Sequence, residues 1–205
     1  MRLSIFIAFA SSALALAQDT SLAEVKKAFD DAHVPKDINL MFEPEVLLEV
    51  TFTQPAAKPI TLRAGVQLLR NETVGPPTYN VIGASSEGPF VIAVVDPDVP
   101  TPQNTSIAQI RHFLGGNFYR MNPKAPTLLY NNTPAVSEYL QPSPRAPSDA
   151  HRYIFLLFRQ SEEFNKQTLV TATTSIEHFN ISSFASALKL GQPIGGTFMM
   201  VAPQV

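Results

Sequence analysis

The stretch Phe90-Val91-Ile92-Ala93-Val94-Val95 constrains this chain more than any other. It is unbroken, apolar and mostly β-branched, the right length for one strand and too short for an ordinary helix. With no polar residue to turn toward water, it reads as a strand buried on both faces. It stops at Asp96. Asp96-Pro97-Asp98-Val99-Pro100 then places two carboxylates and two prolines at the mouth of that strand. Proline's fixed φ and missing N–H end the ladder and stiffen the loop, and rigid loops at strand ends are common sites of chemistry. Further along, Ile107 to Leu114 is again strand-like, with Arg111-His112 inside it.

A carboxylate at the end of a buried strand must be paired or hydrogen-bonded to be tolerated there. His112 and His151 are the obvious partners for Asp96, each beside an arginine and each on or at the start of an apolar run. If their strands are neighbours, the carboxylate fixes an imidazole tautomer and leaves outward N–H groups to receive an anion. That is a phosphate cradle let into a β core. The plainer alternative is a turn rich in Asp and Pro beside a hydrogen-bonded core histidine. Arg111 and Arg152, adjacent to these histidines along the strands, point to the opposite face and are expected to form structural ion pairs. His33 reads as a helix-end residue and His178 as a surface one.

The 205 residues are 45% hydrophobic with a formal charge of -2, which fits one globular domain with a sizeable core. The 15 basic and 17 acidic residues are scattered, without the basic stripe that nucleic acid requires. Met1-Arg2, the apolar run Leu3 to Leu16 and the small-x-small triplet Ala15-Leu16-Ala17 have the make-up of a secretory signal peptide, with cleavage expected after Ala17. The run is shorter than the roughly 20 residues that span a bilayer, and no later segment is long and apolar enough to do so. The expected organisation is therefore a signal peptide over 1–17 and one domain over 18–205, exported and monomeric. Four sequons, at Asn71, Asn104, Asn131 and Asn180, support export as candidate glycosylation sites. The chain has no cysteine, so stability must come from the core and no thiolate metal site exists.

Thr20-Ser21 with Glu24 predicts a capping box, and Leu22, Val25, Phe29 and Ala32 form one stripe, so a helix is expected over Ser21–His33, ended by Val34-Pro35. Val46 to Phe52 alternates as a half-buried strand, Ile60 to Val66 reads as another, and Tyr79 to Ile82 as a short one in a loop. Thr101 to Ser106 is polar and is expected at the pocket's rim. Gly115 to Ala150, crowded with prolines, reads as a long surface loop. Arg152 to Phe158 and Gly196 to Val201 read as strands, with a turn of helix at Ser161–Lys166 and a helix capped by Ser182 or Ser183 running to Leu190 and Gly191. The fold class expected is mainly β, with a few short peripheral helices.

Taken in order, Asp96-Pro97-Asp98-Val99-Pro100, Arg111-His112-Phe113-Leu114 and His151-Arg152-Tyr153 resemble the signatures of the phosphatidylethanolamine-binding protein family along nearly the whole mature chain. The resemblance implies a β-sandwich with a central antiparallel sheet. It also implies an anion pocket lined by Asp96, Pro100, His112, His151 and Tyr153, with Asp98 shaping the loop. Its ligand would be a phosphate-bearing small molecule or phospholipid headgroup. Three departures stand out: Asp149 where the family carries glycine, Arg111 where animal members pair two histidines, and few residues after Gly195-Gly196-Thr197-Phe198, where animal members continue into a helix at the mouth. A more open mouth is expected. Some fungal members inhibit a serine carboxypeptidase, so inhibition is the second function the resemblance implies.

No nucleophile elbow, HExxH or phosphate-binding glycine loop is present, and no serine is singled out by its context. Asp96, His112 and His151 would make a catalytic zinc set or an acid/base group. The anion pocket explains the same residues and the proline loop as well, so neither a metal nor a cofactor is expected.

Overall fold

A computed structural model describes residues 18–204; the expected signal peptide, Met1 to Ala17, lies outside them. Ser21 accepts the N–H of Glu24 and opens helix α1 (Leu22–Asp31), which buries Val25 and Phe29. The helix is shorter than expected because His33 takes a left-handed φ of 55°. Pro35 then sits in the first turn of a second short helix, α2 (Val34–Asp37), where its missing N–H costs nothing.

The strands follow as β1 (Leu47–Phe52), β2 (Ile60–Thr61), β3 (Val66–Leu68), β4 (Thr78–Ile82), β5 (Phe90–Asp96), β6 (Ile110–Tyr119), β7 (Tyr130–Asn131), β8 (His151–Arg159) and β9 (Gly195–Val201). They form a three-stranded sheet, β2-β1-β4, and a six-stranded sheet, β3-β9-β8-β5-β6-β7. Every pairing in the larger sheet is antiparallel except β3 with β9. The single strand expected over Ile60–Val66 is instead two short ones, and they belong to different sheets.

The two-sided burial read from β5 is literal. Val91, Ala93 and Val95 enter one core with Phe29, Ile154, Leu156 and Phe184, under the helices. Phe90, Ile92 and Val94 enter the other with Val50, Phe52, Phe155 and Leu157, between the sheets. A strand's period of two thus splits one apolar run between two cores.

Two expectations are corrected here. Strand β6 does not end at Leu114 but runs through Gly115-Gly116 to Tyr119, and β7 pairs with its end, so the Gly115–Ala150 loop is partly sheet. The glycines are strand residues because aromatic rings fill the space a Cβ would need, Phe113 and Phe118 against Gly115 and Phe164 against Gly116. The last helix, α3 (Ile181–Ala187), is capped by Asn180, whose side chain accepts from the Ser183 N–H at 2.8 Å, and not by Ser182 or Ser183.

Phe155, fully buried between the sheets and edge-on to Phe52, gives a direct test of this packing. Phe155→Ala is expected to cost about 3–5 kcal/mol in urea unfolding, whereas Met121→Ala, at 71% exposure, should stay within about 0.5 kcal/mol of the parent.

Candidate functional site

Asp96 closes β5, 2% exposed, and its two carboxylate oxygens are divided between two tasks. Oδ1 accepts the Asp98 N–H at 2.8 Å, which folds the proline loop back on the strand end. Oδ2 lies 2.8 Å from Nδ1 of His151 at the start of β8. The carboxylate can only accept in this contact, so His151 Nδ1 carries hydrogen. His151 Nε2 lies 2.9 Å from the Ser148 hydroxyl. Both nitrogens of His151 therefore have partners.

His112 arrives by a different device. Val94 pairs with Phe113 and Val95 with Arg111, so His112 is the extra residue of a β-bulge in β6. A bulge re-aims the side chain it carries. The imidazole packs edge-on against Tyr153, ring centroids 4.9 Å apart, and Tyr153 in turn stacks on His151 at 6.4 Å. Leu140 grips His112 twice, its N–H donating to the His112 carbonyl and its own carbonyl accepting from Nδ1, both at 2.8 Å. Since a carbonyl only accepts, Nδ1 holds the hydrogen and Nε2 is the nitrogen left for the cavity.

Asp96, Pro100, His112, His151 and Tyr153 line one cavity of about 290 Å³, so five of the six predicted site residues meet. Asp98 does not line it. Its carboxylate faces Arg152, accepting the backbone N–H at 2.8 Å, Nε at 2.9 Å and an Nη2 hydrogen at 2.6 Å, while Arg152 Nη1 reaches Asp37 at 2.8 Å. Arg152 thus makes the expected structural ion pairs. Arg111 does not: it is buried under Phe179, 5.2 Å from the ring centroid, and donates to the carbonyls of Thr174 and Ser175. Those bonds fix the segment that sends Ile176 and Glu177 to the cavity wall.

Sequence reasoning missed Arg145 and Glu177, an opposite pair of charges on the cavity lining. Arg145 had a signal, being the only basic residue between Lys124 and Arg152; Glu177 had none. The rim is built by Val99, Pro100 and Ile107 instead of the expected Thr101–Ser106, which closes on itself through reciprocal Thr101 and Asn104 backbone bonds. Asp149 faces Gln103, whose Nε2 donates to it at 2.7 Å, and lies off the cavity lining. Of the sequons, Asn71, Asn104 and Asn180 are exposed, whereas Asn131 is half-buried and spends its amide hydrogen on the Gly116 carbonyl at 2.6 Å.

Burial pushes the His112 pKa below the ordinary imidazole value; the Leu140 carbonyl and Asp96 oppose this, and His151 adds to it. The Tyr153 phenol is pushed up by burial first and by Asp96 next, so it stays protonated. Among the described residues, no group of three or more His, Cys, Asp or Glu is placed to hold a metal ion, and no helix is long and apolar enough to cross a membrane.

The class these features define is a two-sheet β-sandwich with a small cavity, lined by both apolar and charged side chains, at the end of β5. The phosphatidylethanolamine-binding protein family model matches residues 49–199, and the chain belongs to that family. Relatives include Protein FLOWERING LOCUS T of Arabidopsis thaliana, 29% identical over 167 residues, covering 82% of this chain and 86% of the relative. CEN-like protein 4 of Nicotiana tabacum is 27% identical over 157 residues, with 77% and 81% covered. Among solved structures, a carboxypeptidase Y inhibitor complexed with its cognate proteinase matches with a TM-score of 0.73 at 18% identity, covering 89% of this chain and 96% of that one. A phosphatidylethanolamine-binding protein from Plasmodium vivax matches at 0.69 and 14%, covering 88% and 98%. At these identities the structural matches establish the fold.

The Asp98–Arg152 pair holds the proline loop to β8, and removing the Asp98 carboxylate takes three hydrogen bonds from Arg152 while leaving its ion pair with Asp37. Asp98→Ala is expected to lower stability by about 1.5–3 kcal/mol in denaturant titrations.

Proposed function

We propose that this protein binds a small anionic ligand, a phosphate-bearing molecule or phospholipid headgroup, in the cavity at the end of β5, and that it does so on the secretory route or outside the cell. The carrying observation is His112: Leu140 holds its Nδ1–H, and the remaining nitrogen faces a cavity that Arg145 also lines. Protonated, His112 presents a charged N–H to the ligand; neutral, it presents a lone pair that repels an anion. His151 serves as a fixed wall of the site, oriented by Asp96 and partnered by Ser148. The export part of the proposal rests on the make-up of Met1 to Ala17 and on the exposed sequons at Asn71, Asn104 and Asn180.

The pH dependence has a definite sign. Burial lowers the His112 pKa from about 6.5, so the charged form, and with it anion binding, is complete only below that depressed value and is lost as pH rises through it. Sulfate keeps its charge throughout this range and isolates the imidazole. Calorimetric titration of the mature protein with sulfate and phosphoethanolamine is expected to show at least about tenfold tighter binding near pH 5 than near pH 8, a ratio worth about 1.4 kcal/mol. His112→Ala should abolish the difference. Equal sulfate affinity at both pH values, or none in the intact protein, would contradict the proposal.

The carboxypeptidase-inhibitor function draws on the shared fold alone. It takes precedence if no anion binds and the protein inhibits a serine carboxypeptidase equally well with His112→Ala.

A further inference from the structure

The contact that occupies His151 Nε2 also completes a chain of three groups. Asp96 Oδ2 to His151 Nδ1 is 2.8 Å, and His151 Nε2 to Ser148 Oγ is 2.9 Å. Carboxylate, imidazole and hydroxyl in that order, at those separations, are a nucleophile with its base and the group that orients the base. The carboxylate and imidazole are each 3% exposed at the side chain, so Asp96 keeps His151 in the Nδ1–H form and leaves Nε2 as a proton acceptor. Ser148 is half-buried and lines a second, open groove with Gln67, Gln103, Pro147 and Ala202. The single hydroxyl hydrogen of Ser148 has two acceptors at 2.9 Å, the Asp149 carbonyl and His151 Nε2, and rotation of the hydroxyl toward Nε2 completes the chain.

We propose that Ser148 is an acyl-accepting nucleophile, with His151 as its base and Asp96 as the residue that positions the base, acting on uncharged esters with a short acyl group. Ser148 Oγ adds to the ester carbonyl carbon as its proton passes to His151 Nε2. The bond from that carbon to the alcohol oxygen then breaks, and the proton on Nε2 goes to the departing alcohol. Water repeats the exchange on the acyl-serine, giving its proton to Nε2 and releasing the acid, and Ser148 is restored. The charge that develops on the carbonyl oxygen has donors close in sequence: the backbone N–H groups of Asp149 and Ala150, which give no backbone hydrogen bond among the described residues. The groove carries the Asp149 carboxylate and no cation, so an anionic ester is disfavoured, and its proline and alanine walls suit a small acyl chain.

The test begins with the unmodified mature protein and a fluorophosphonate probe, whose adduct is located by peptide mass spectrometry. An adduct on Ser148, absent after heat unfolding, is the expected result. Hydrolysis of p-nitrophenyl acetate should fall by roughly three orders of magnitude in Ser148→Ala, provided the variant melts with the parent's cooperativity. A folded protein that takes no probe at Ser148, or a Ser148→Ala variant that hydrolyses the ester at the parent rate, overturns the proposal. Sulfate titration reads the other cavity, so either reading can fail while the other stands.

Discussion

Asp96 is the residue on which the site depends. Its carboxylate sits at the end of the most buried strand of the sheet, where desolvating an unpaired charge would cost several kcal/mol. The cost is offset from two directions at once, by the Asp98 N–H on its own loop and by His151 on the neighbouring strand. Satisfying one buried charge therefore dictates the path of the proline loop, the rotamer and tautomer of His151, and through His151 the place of Ser148. The loop is then locked from behind, where Asp98 takes three hydrogen bonds from Arg152 and Arg152 ties in Asp37 at the end of α2.

The two histidines are consequently unequal. His151 is held by a carboxylate and a hydroxyl, both within the fold, whereas His112 is held only at Nδ1 and by a carbonyl. Burial outweighs the Leu140 carbonyl and Asp96, which both favour the charged imidazole, so the His112 pKa falls. His151 is built into the frame through both nitrogens, and His112 keeps one nitrogen without a protein partner among the described residues. Arg111, one residue from His112, looks the other way and secures the segment behind Ile176 and Glu177, so successive residues of one strand shape the cavity from opposite faces of the sheet.

Much of this was legible in the sequence, because Phe90 to Val95 of β5 and Tyr153 to Phe158 of β8 are unbroken apolar runs, and a strand that needs both faces covered declares itself by composition. The pairing of Asp96 with His151 was legible as a requirement of charge burial, and the motif order tied it to a family. The bulge at His112 was not, since it depends on the register of β6 against β5 and no local signal carries register. Gly115-Gly116 looked like the start of a loop; only the rings of Phe113, Phe118 and Phe164 explain why a strand needs glycine there. The fate of Arg111 was equally hidden, because adjacency on a strand predicts a face and not a partner, and its partners proved to be carbonyls and an aromatic ring. Ser148 stood out only once β8 had brought His151 beside Asp96.

The division of labour between the histidines is the centre of this account, and imidazole nitrogen NMR of the protein tests it most directly. Both rings should carry hydrogen at Nδ1, bonded to Asp96 in His151 and to the Leu140 carbonyl in His112. With His112 protonated, added sulfate should shift Nε2 of His112, while sulfate-induced shifts at the His151 nitrogens stay small because Asp96 and Ser148 already engage both of them. A His151 that takes up the anion while His112 stays silent would contradict the account.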